Sequence, residues 1–269
     1  MTRGGGAAMM GRMRMNHADG KRLLAAVRDG DFAHAGEEAA VRMAWRRLPK
    51  RPNQSCLDAG CGRGGSAALV QSQGWGQVIG LDIDAETISF AQTAYPDVRF
   101  VAADVTCAGE LFPTQFDIIY AFNAFYAFPE QHAALGALRL AGKPDATLCL
   151  FDYLDRGGFT ETRFAEKPET LLWRPLSMNS LQSRLDQTGW GLGECLDISV
   201  DFETWYTKFV NRFAIRRQQL LKLFASELVN YAEDYYYSLL EAIKTGALGG
   251  AIVYAQAKSG DAGATPCQN

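Results

Sequence analysis

Apolar positions recur at helical spacing in the first part of the chain. Between positions 17 and 48 they form two stripes, one around Leu24 and Val27 and the other around Val41 and Trp45. Residues three and four positions apart lie on one face of a helix, so each stripe marks the buried side of a helix. Prolines follow the second stripe and end it. The pattern predicts two short helices ahead of the main domain.

A different pattern follows, in which short apolar runs alternate with helically spaced segments. Parallel strands need crossover connections of this kind, so we expect an α/β domain with a doubly wound, mostly parallel sheet and helices on both faces. The predicted strands are Ser55–Ala59, Val78–Asp82, Val98–Ala102, Phe116–Ala121, Thr147–Phe151 and Leu192–Val200, and the helical segments between them include Ser66–Gln73, Ala85–Ala94, Glu130–Leu140 and Asn179–Gln187.

The last third of the chain predicts two helices and a closing strand. Apolar residues recur at helical spacing from Phe202 to Phe224 and again over 227–244, before the apolar run Ala251–Ala257. A helical insertion between two late strands can fold over the carboxyl edge of the sheet, where open α/β folds bind ligands. We therefore divide the chain into a flexible tail (1–16), N-terminal helices covering the site (17–52), a cofactor-binding core (53–200), a helical substrate lid (201–246), and a closing strand with a tail (247–269).

Composition is that of an ordinary globular protein. Of 269 residues, 48% are hydrophobic, and no apolar run approaches the roughly 20 residues of a membrane-spanning helix. The net charge of −3 gives no reason to expect a basic face that binds along nucleic acid.

The six cysteines form no CxxC pair, which favours reduced thiols in the cytoplasm. His17 and His132 have no companions at metal-ligand spacing, so no metal is predicted.

A glycine-rich turn lies where the first predicted strand of the core passes into a helix. Its sequence is Leu57-Asp58-Ala59-Gly60-Cys61-Gly62-Arg63-Gly64-Gly65. The glycines leave room for a ligand beside the backbone, and the helix offers unpaired N–H groups. The turn also satisfies the dinucleotide pattern GxGxxG, a weak signal alone. Asp58 at the lip of the turn would repel an anionic pyrophosphate and attract the ammonium of a methionine moiety, so it favours a ligand that is cationic at this end.

Two further acids stand at the ends of the next two strands. Asp82 follows Gly62 by 20 positions, the distance at which an acidic side chain can accept ribose hydroxyls. Asp104 closes the third strand, where a carboxylate can accept the exocyclic amine of adenine. Each acid alone is equally well explained as a solvated loop residue. The ordered set with the glycine turn favours a nucleoside site.

These residues together resemble the class I S-adenosylmethionine-dependent methyltransferases over roughly 56–153. The resemblance implies a Rossmann-like methyltransferase fold with seven strands and a helical lid. It also implies S-adenosylmethionine as the cofactor, with Asp82 on the ribose and Asp104 with Val105 at the adenine. The implied cofactor-binding residues are Asp58, Ala59, Gly60, Gly62, Asp82, Ile83, Asp104, Val105 and Asn123.

A weaker similarity joins the chain to the phosphoethanolamine and related small-amine methyltransferases. It rests on Phe116–Asn123, Leu150–Tyr153, the polar segment 34–38 and the C-terminal run 249–258. Two positions depart from that family. Asn123 stands where that family usually has an acid. The segment that holds the catalytic histidine in that family is replaced here by one that begins at Tyr126. Phosphoethanolamine itself is therefore not favoured as the acceptor.

The candidate catalytic residues are His34 and Tyr126, because a nitrogen or oxygen acceptor must lose a proton to a His or Tyr of suitable pKa. Burial in the core explains each of them equally well. Tyr153, Trp205 and Tyr206 are candidate substrate residues. Trp205 and Tyr206, together with the tyrosines at 235–237, could surround an amine through cation–π contacts. Ordinary helix packing also explains their spacing.

The preferred function is an S-adenosylmethionine-dependent methyltransferase acting on a small-molecule acceptor, most simply at nitrogen or oxygen. The GxGxxG turn leaves a nicotinamide-dependent oxidoreductase as one alternative. A non-catalytic module that keeps the cofactor site and serves in protein interaction is another. A small-molecule acceptor is the expected partner, with neither nucleic acid nor a membrane span.

Overall fold

A computed structural model describes residues 15–28, 30–51 and 53–258. The described residues form one mixed sheet with the strand order β3-β2-β1-β4-β5-β8-β7, and a two-residue strand, β6, pairs with the end of β5 beside this path. The strands are β1 (Ser55–Ala59), β2 (Gln77–Asp82), β3 (Arg99–Ala102), β4 (Phe116–Phe122), β5 (Gly142–Asp155), β6 (Leu176–Ser177), β7 (Trp190–Asp197) and β8 (Leu248–Ala257).

Helices connect the strands and cover both faces of the sheet. They are α1 (Ala18–Arg28), α2 (Glu37–Trp45), α3 (Gly65–Ser72), α4 (Ala85–Ala94), α5 (Ala108–Leu111), α6 (Gln131–Ala141), α7 (Met178–Gln187), α8 (Ser199–Leu223) and α9 (Ser226–Lys244). Strands β1 to β5 pair in parallel, whereas β8 lies antiparallel between β5 and β7. The predicted doubly wound α/β fold is confirmed, with the seven-stranded path extended by β6.

Both faces of the sheet are buried. Successive residues of β4 alternate between two apolar clusters, with Ile118 and Tyr120 in one and Ile119 and Ala121 in the other. Because neither face of a central strand is solvated, β4 has the continuous apolar sequence typical of parallel sheets. The site is therefore confined to the carboxyl edge, where the strands end.

Two predicted strands differ from the structure at both of their ends. The strand expected at 192–200 runs from Trp190 to Asp197. It ends there because the carboxylate of Asp197 accepts a hydrogen bond of 2.8 Å from the backbone N–H of Ser199, which begins α8 two residues before the predicted lid. The strand expected at 147–151 begins earlier and ends later, as β5 over Gly142–Asp155.

The helical segment α8–α9 packs on the last strand and holds α1 above the sheet edge. A Cβ atom on Gly250 of β8 would lie 2.2 Å from Cδ2 of Phe202 in α8. From the same helix, Arg212 donates to the carbonyl of Arg28 at 3.0 Å and Arg216 to that of Ala26 at 2.8 Å. These carbonyls lie in the last turn of α1, where arginine is favoured. The segment thereby fixes the position of α1.

The N-terminal tail predicted at 1–16 lies outside the described residues, apart from Met15 and Asn16. The predicted C-terminal tail is likewise described only to Lys258. Within residues 15–28, 30–51 and 53–258, no helix has both the length and the apolar character needed to cross a membrane. In the same ranges, no group of three or more His, Cys, Asp and Glu side chains is placed to hold a metal ion.

Candidate functional site

A cavity of about 910 Å³ opens at the carboxyl edge of the sheet, beneath α1. One part, which we name the acidic half, is lined by Asp19, Asp82, Asp84, Glu86 and Asp104. The other part, the aromatic half, is lined by Phe122, Tyr126, Tyr153, Trp173 and Tyr236, together with Glu169. The acidic half lies at the ends of β2 and β3, and the aromatic half lies beyond β4 and β5.

The glycine turn forms the wall next to the acidic half. Gly60 and Gly62 both line the cavity and have positive φ values of 84° and 53°, which glycine adopts without strain. A Cβ atom on Gly60 would lie 2.5 Å from that of Ala124. The backbone N–H of Gly60 donates to the carbonyl of Leu81 at 2.7 Å. The turn is therefore fixed to the end of β2 and leaves backbone exposed to a ligand.

Asp82 is the most heavily bonded acid of the cavity. Its carboxylate accepts from the backbone N–H of Gly62 at 2.8 Å and from that of Asp84 at 3.0 Å. Lys21 of α1 donates to both carboxylate oxygens, at 3.0 and 3.1 Å. A carboxylate offers about four lone-pair sites, so these contacts use its full capacity. Lys21 is the contact that can be exchanged, because its donor belongs to a flexible side chain.

Asp104 and two apolar neighbours complete the acidic half. One oxygen of Asp104 accepts from the backbone N–H of Thr106 at 2.8 Å, which orients the carboxyl group at the end of β3. Ile83 and Val105 line the cavity beside it, and Ile83 is 71% exposed. An exposed apolar surface next to a carboxylate suits a flat ring that carries an amine.

Asp58 and Ala59 require a correction. Both are buried in the structure and neither lines the cavity. Burial raises the pKa of Asp58 to about 8, so at neutral pH the carboxyl group holds its proton. A neutral Asp58 does not supply the charge on which the predicted selection between ligands depends, and the carboxylates that line the cavity are those of the acidic half. Asn123 does line the cavity.

His34 also lies outside the cavity lining. Its Nδ1 atom is 3.0 Å from the carbonyl of Ala35 and its Nε2 atom 2.8 Å from Oγ of Ser66. Because a carbonyl only accepts, Nδ1 carries the hydrogen and Nε2 accepts from the serine. Burial lowers the pKa of His34 to about 4. The imidazole is therefore neutral and joins the loop before α2 to the start of α3.

Tyr126 and Tyr153 line the aromatic half, as predicted for a catalytic and a substrate residue. The hydroxyl of Tyr126 donates to Oδ1 of Asn16 at 3.0 Å. Burial raises the pKa of both phenols well above the usual range, so both keep their protons at neutral pH. Their hydroxyl groups can orient a ligand in the cavity.

Trp205 and Tyr206 do not line the cavity. The hydroxyl of Tyr206 contacts that of Tyr153 from behind the wall. Trp205 packs on Gly36, whose added Cβ atom would lie 2.6 Å from Cδ2 of the indole. Both residues therefore support the cavity wall and have no direct contact with its interior.

Sequence reasoning missed Lys21, Glu169 and Trp173. Lys21 had a detectable signal, because it lies one helical turn before Leu24 on the buried side of α1. Glu169 and Trp173 lie in and just after a short 3₁₀ turn, Pro168–Leu172, a segment without apolar periodicity. Nothing in the local sequence marks those two as cavity residues.

Comparisons with known proteins agree with this geometry. Residues 56–145 match the family model described as a methyltransferase domain. An O-methyltransferase from Pyrenophora dematioidea is 26% identical over 71% of this chain and 79% of its own length. A trans-aconitate 2-methyltransferase from Rhizobium meliloti is 31% identical over 39% of this chain, and the match spans 40% of that enzyme.

A solved structure has the same fold. The phosphoethanolamine N-methyltransferase 2 of Haemonchus contortus, in complex with phosphomonomethylethanolamine and S-adenosylhomocysteine, superimposes with a TM-score of 0.79 at 18% identity. The match covers 90% of this chain and 57% of that one. The predicted resemblance to the class I methyltransferase fold is thereby confirmed.

Proposed function

We propose that this chain, whose residues 56–145 match a methyltransferase domain, transfers a methyl group from S-adenosylmethionine to a nitrogen or oxygen of a small molecule. The observation that carries the proposal is the cradle at the carboxyl edge. There Asp82 binds the glycine turn through the N–H of Gly62, and Asp104 stands at the neighbouring strand end. Carboxylates at these two strand ends suit the ribose and the adenine of a nucleoside, and the match to a methyltransferase domain favours S-adenosylmethionine over a dinucleotide.

The residues of the acidic half fit the cofactor. We assign the ribose hydroxyls to Asp82, the adenine to Ile83, Asp104 and Val105, and the amino-acid end to the glycine turn and Asn123. When bound, S-adenosylmethionine would supply an electrophilic methyl group to the acceptor, with the sulfur as leaving group and the acceptor's proton passing to water. The exchangeable contact of Lys21 with Asp82 leaves the carboxylate able to accept the ribose.

The aromatic half contributes position and exclusion of water. Methyl transfer is an in-line displacement, so the protein's task is to hold the acceptor at contact distance in a dry pocket. Tyr126, Tyr153 and Trp173 form the walls of such a pocket. Since both phenols keep their protons, we assign them hydrogen bonds to the acceptor. We assign His34 the role of a positioning residue that fixes the loop before α2.

The proposal is tested by transfer of isotope-labelled methyl from S-adenosylmethionine to a panel of amines, phenols and carboxylic acids. Labelled product from at least one acceptor, together with binding of the cofactor in calorimetry, is the expected result. Cofactor binding without turnover of any acceptor would favour the non-catalytic module. Binding of NADH without binding of S-adenosylmethionine would overturn the proposal.

A further inference from the structure

The loop between α1 and α2 packs closely on the glycine turn. Within residues 30–36, which we name the crossing loop, Ala33 lines the cavity, as does Gly62 of the turn. A Cβ atom on Gly62 would lie 3.7 Å from that of Ala33. A Cβ atom on Gly65 would lie only 2.6 Å from the carbonyl oxygen of Asp31. The crossing loop and the turn therefore face each other beside the space assigned above to the amino-acid end of the cofactor.

Neutral hydrogen bonds hold the C-terminal end of the crossing loop. The backbone N–H of Ala35 donates to Oδ1 of Asn123 at 3.2 Å. Nε2 of His34 accepts from Oγ of Ser66, at 2.8 Å. These bonds fix the part of the crossing loop that follows Ala33, so the part before Ala33 depends on other contacts.

An ion pair holds the N-terminal end. Nε of Arg63 donates to Oδ1 of Asp31 at 2.7 Å. The two side chains are 14% and 18% exposed, so water screens their attraction less than it screens a pair on the surface. Arg63 lies between Gly62 and Gly64, and the pair therefore joins the crossing loop directly to the turn.

Aromatic side chains fix both members of this pair. The hydroxyl of Tyr95, which follows α4, donates to Oδ2 of Asp31 at 2.8 Å. The guanidinium carbon of Arg63 lies 3.4 Å from the centroid of the Phe90 ring in α4, a cation–π contact. Because each partner is already held by another group, little side-chain freedom is lost when the pair forms. The pair therefore keeps the crossing loop and the turn at a defined distance.

The turn has its own attachment to the sheet. The backbone N–H groups of Gly60 and Cys61 donate to the carbonyl of Leu81 at 2.7 and 3.0 Å. The N–H of Gly62 donates to the carboxylate of Asp82 at 2.8 Å. These bonds do not involve Arg63, so loss of the ion pair should release the crossing loop and leave Asp82 in place.

We infer that Asp31 and Arg63 are positioning residues for the cofactor, whose ion pair holds the crossing loop against the glycine turn and so sets the width of the space for the amino-acid end. This inference rests on the proposed function, because it concerns the cofactor of the same site. Neither side chain lines the cavity, so both act through Ala33 and Gly62. The pair should therefore affect ligands that carry the amino-acid end and not ligands that lack it.

Two nucleosides separate these cases. S-adenosylhomocysteine and 5′-methylthioadenosine both contain adenine, ribose and sulfur, but only the first has the amino-acid end. Each is titrated by calorimetry into full-length wild type, Asp31→Asn, Arg63→Met and the double variant. We expect each single substitution to weaken S-adenosylhomocysteine about tenfold and to change 5′-methylthioadenosine less than about twofold. The double variant should bind S-adenosylhomocysteine no more weakly than the weaker single variant, because either change already breaks the pair.

Arg42→Met is the matched control. Arg42 forms an exposed ion pair with Glu38 on α2, so its loss should leave both affinities unchanged. Thermal unfolding without ligand shows whether each variant is folded, and if one single variant does not fold, the other decides the test. An equal loss of affinity for both nucleosides would show that the pair only supports the turn, and it would overturn the inference. Unchanged affinity for S-adenosylhomocysteine in the folded variants would also overturn it.

Failure of the inference and failure of the proposed function give different results. If wild-type protein does not bind S-adenosylhomocysteine, the proposed function fails whatever the variants do. If wild type and both variants bind S-adenosylhomocysteine equally well, the proposed function stands and the positioning role of the ion pair is wrong.

Discussion

At the scale of single residues, Asp82 connects the glycine turn, the end of β2 and helix α1. We predict that Asp82→Ala weakens the binding of S-adenosylhomocysteine by about 1–3 kcal/mol, because it removes charge-assisted hydrogen bonds to the ribose. Isothermal titration calorimetry measures the change directly. Asp145→Ala, at an exposed position of β5, is the control. Unchanged affinity in Asp82→Ala would count against the assigned ribose contact.

Asp58 should reveal its burial in the pH dependence of stability. Its folded-state pKa is raised to about 8, above the value of about 3.9 in an unfolded chain. Between these values the native state keeps a proton that the unfolded state releases, so the free energy of unfolding falls as pH rises. We expect Asp58→Asn to lose part of this fall. Urea titrations at pH 5 and pH 8 compare the two proteins, and parallel pH profiles would contradict the account.

The sequence predicted the residues of the acidic half better than those of the aromatic half. Gly62, Asp82 and Asp104 stand at strand ends, where local sequence already determines the position. Glu169 and Trp173 reach the cavity through a segment with no regular pattern, so only the tertiary structure shows their location. His34 was a candidate because an imidazole can take a proton from the acceptor, but the sequence does not tell which side of a loop a ring faces.

At the scale of elements, α1 covers the acidic half of the cavity and contacts Asp82 through the ion pair of Lys21. Lys21 occupies two of the four acceptor sites of Asp82, the sites that the ribose hydroxyls require. It also places a positive charge beside a cationic cofactor. We therefore predict that Lys21→Met tightens binding of S-adenosylmethionine by about three- to tenfold.

Equilibrium binding of wild type and Lys21→Met, measured at the same ionic strength, checks this prediction. Arg46→Met is a suitable control, because Arg46 is exposed just after α2 and does not line the cavity. Weaker binding in Lys21→Met would mean that the lysine holds the cofactor rather than competing with it.

The contact between α8 and β8 depends on a glycine. A Cβ atom on Gly250 would collide with Phe202 at 2.2 Å, so Gly250→Ala should lower the free energy of unfolding by about 1–3 kcal/mol. Gly136 in α6 has nothing within 4 Å of its added Cβ atom, and Gly136→Ala should raise stability by up to about 1 kcal/mol through helix propensity. Chemical denaturation measures the free energy of unfolding of both variants. Equal changes in the two would contradict the prediction that the contact between Gly250 and Phe202 leaves no room for a Cβ atom.

At the scale of the whole molecule, the alternation of strands and helices determined the fold class before any contact was known. Periodicity shows which segments are strands, and the crossover requirement makes most of them parallel. It does not show that β8 lies antiparallel between β5 and β7, because strand order depends on long-range pairing. The function of the helices after β7 was also only partly predictable. Their aromatic residues support the cavity wall, Arg212 and Arg216 hold α1 in place, and Tyr236 lines the cavity.

The central claim is that the carboxyl edge of this sheet holds a nucleoside through Asp82. A crystal structure of the protein with S-adenosylhomocysteine tests it most directly. The account predicts ribose hydroxyls within hydrogen-bond distance of the Asp82 carboxylate, adenine beside Ile83 and Asp104, and Nζ of Lys21 moved away from Asp82. A nucleoside bound elsewhere, or an intact ion pair between Lys21 and Asp82 with no ribose contact, would contradict it.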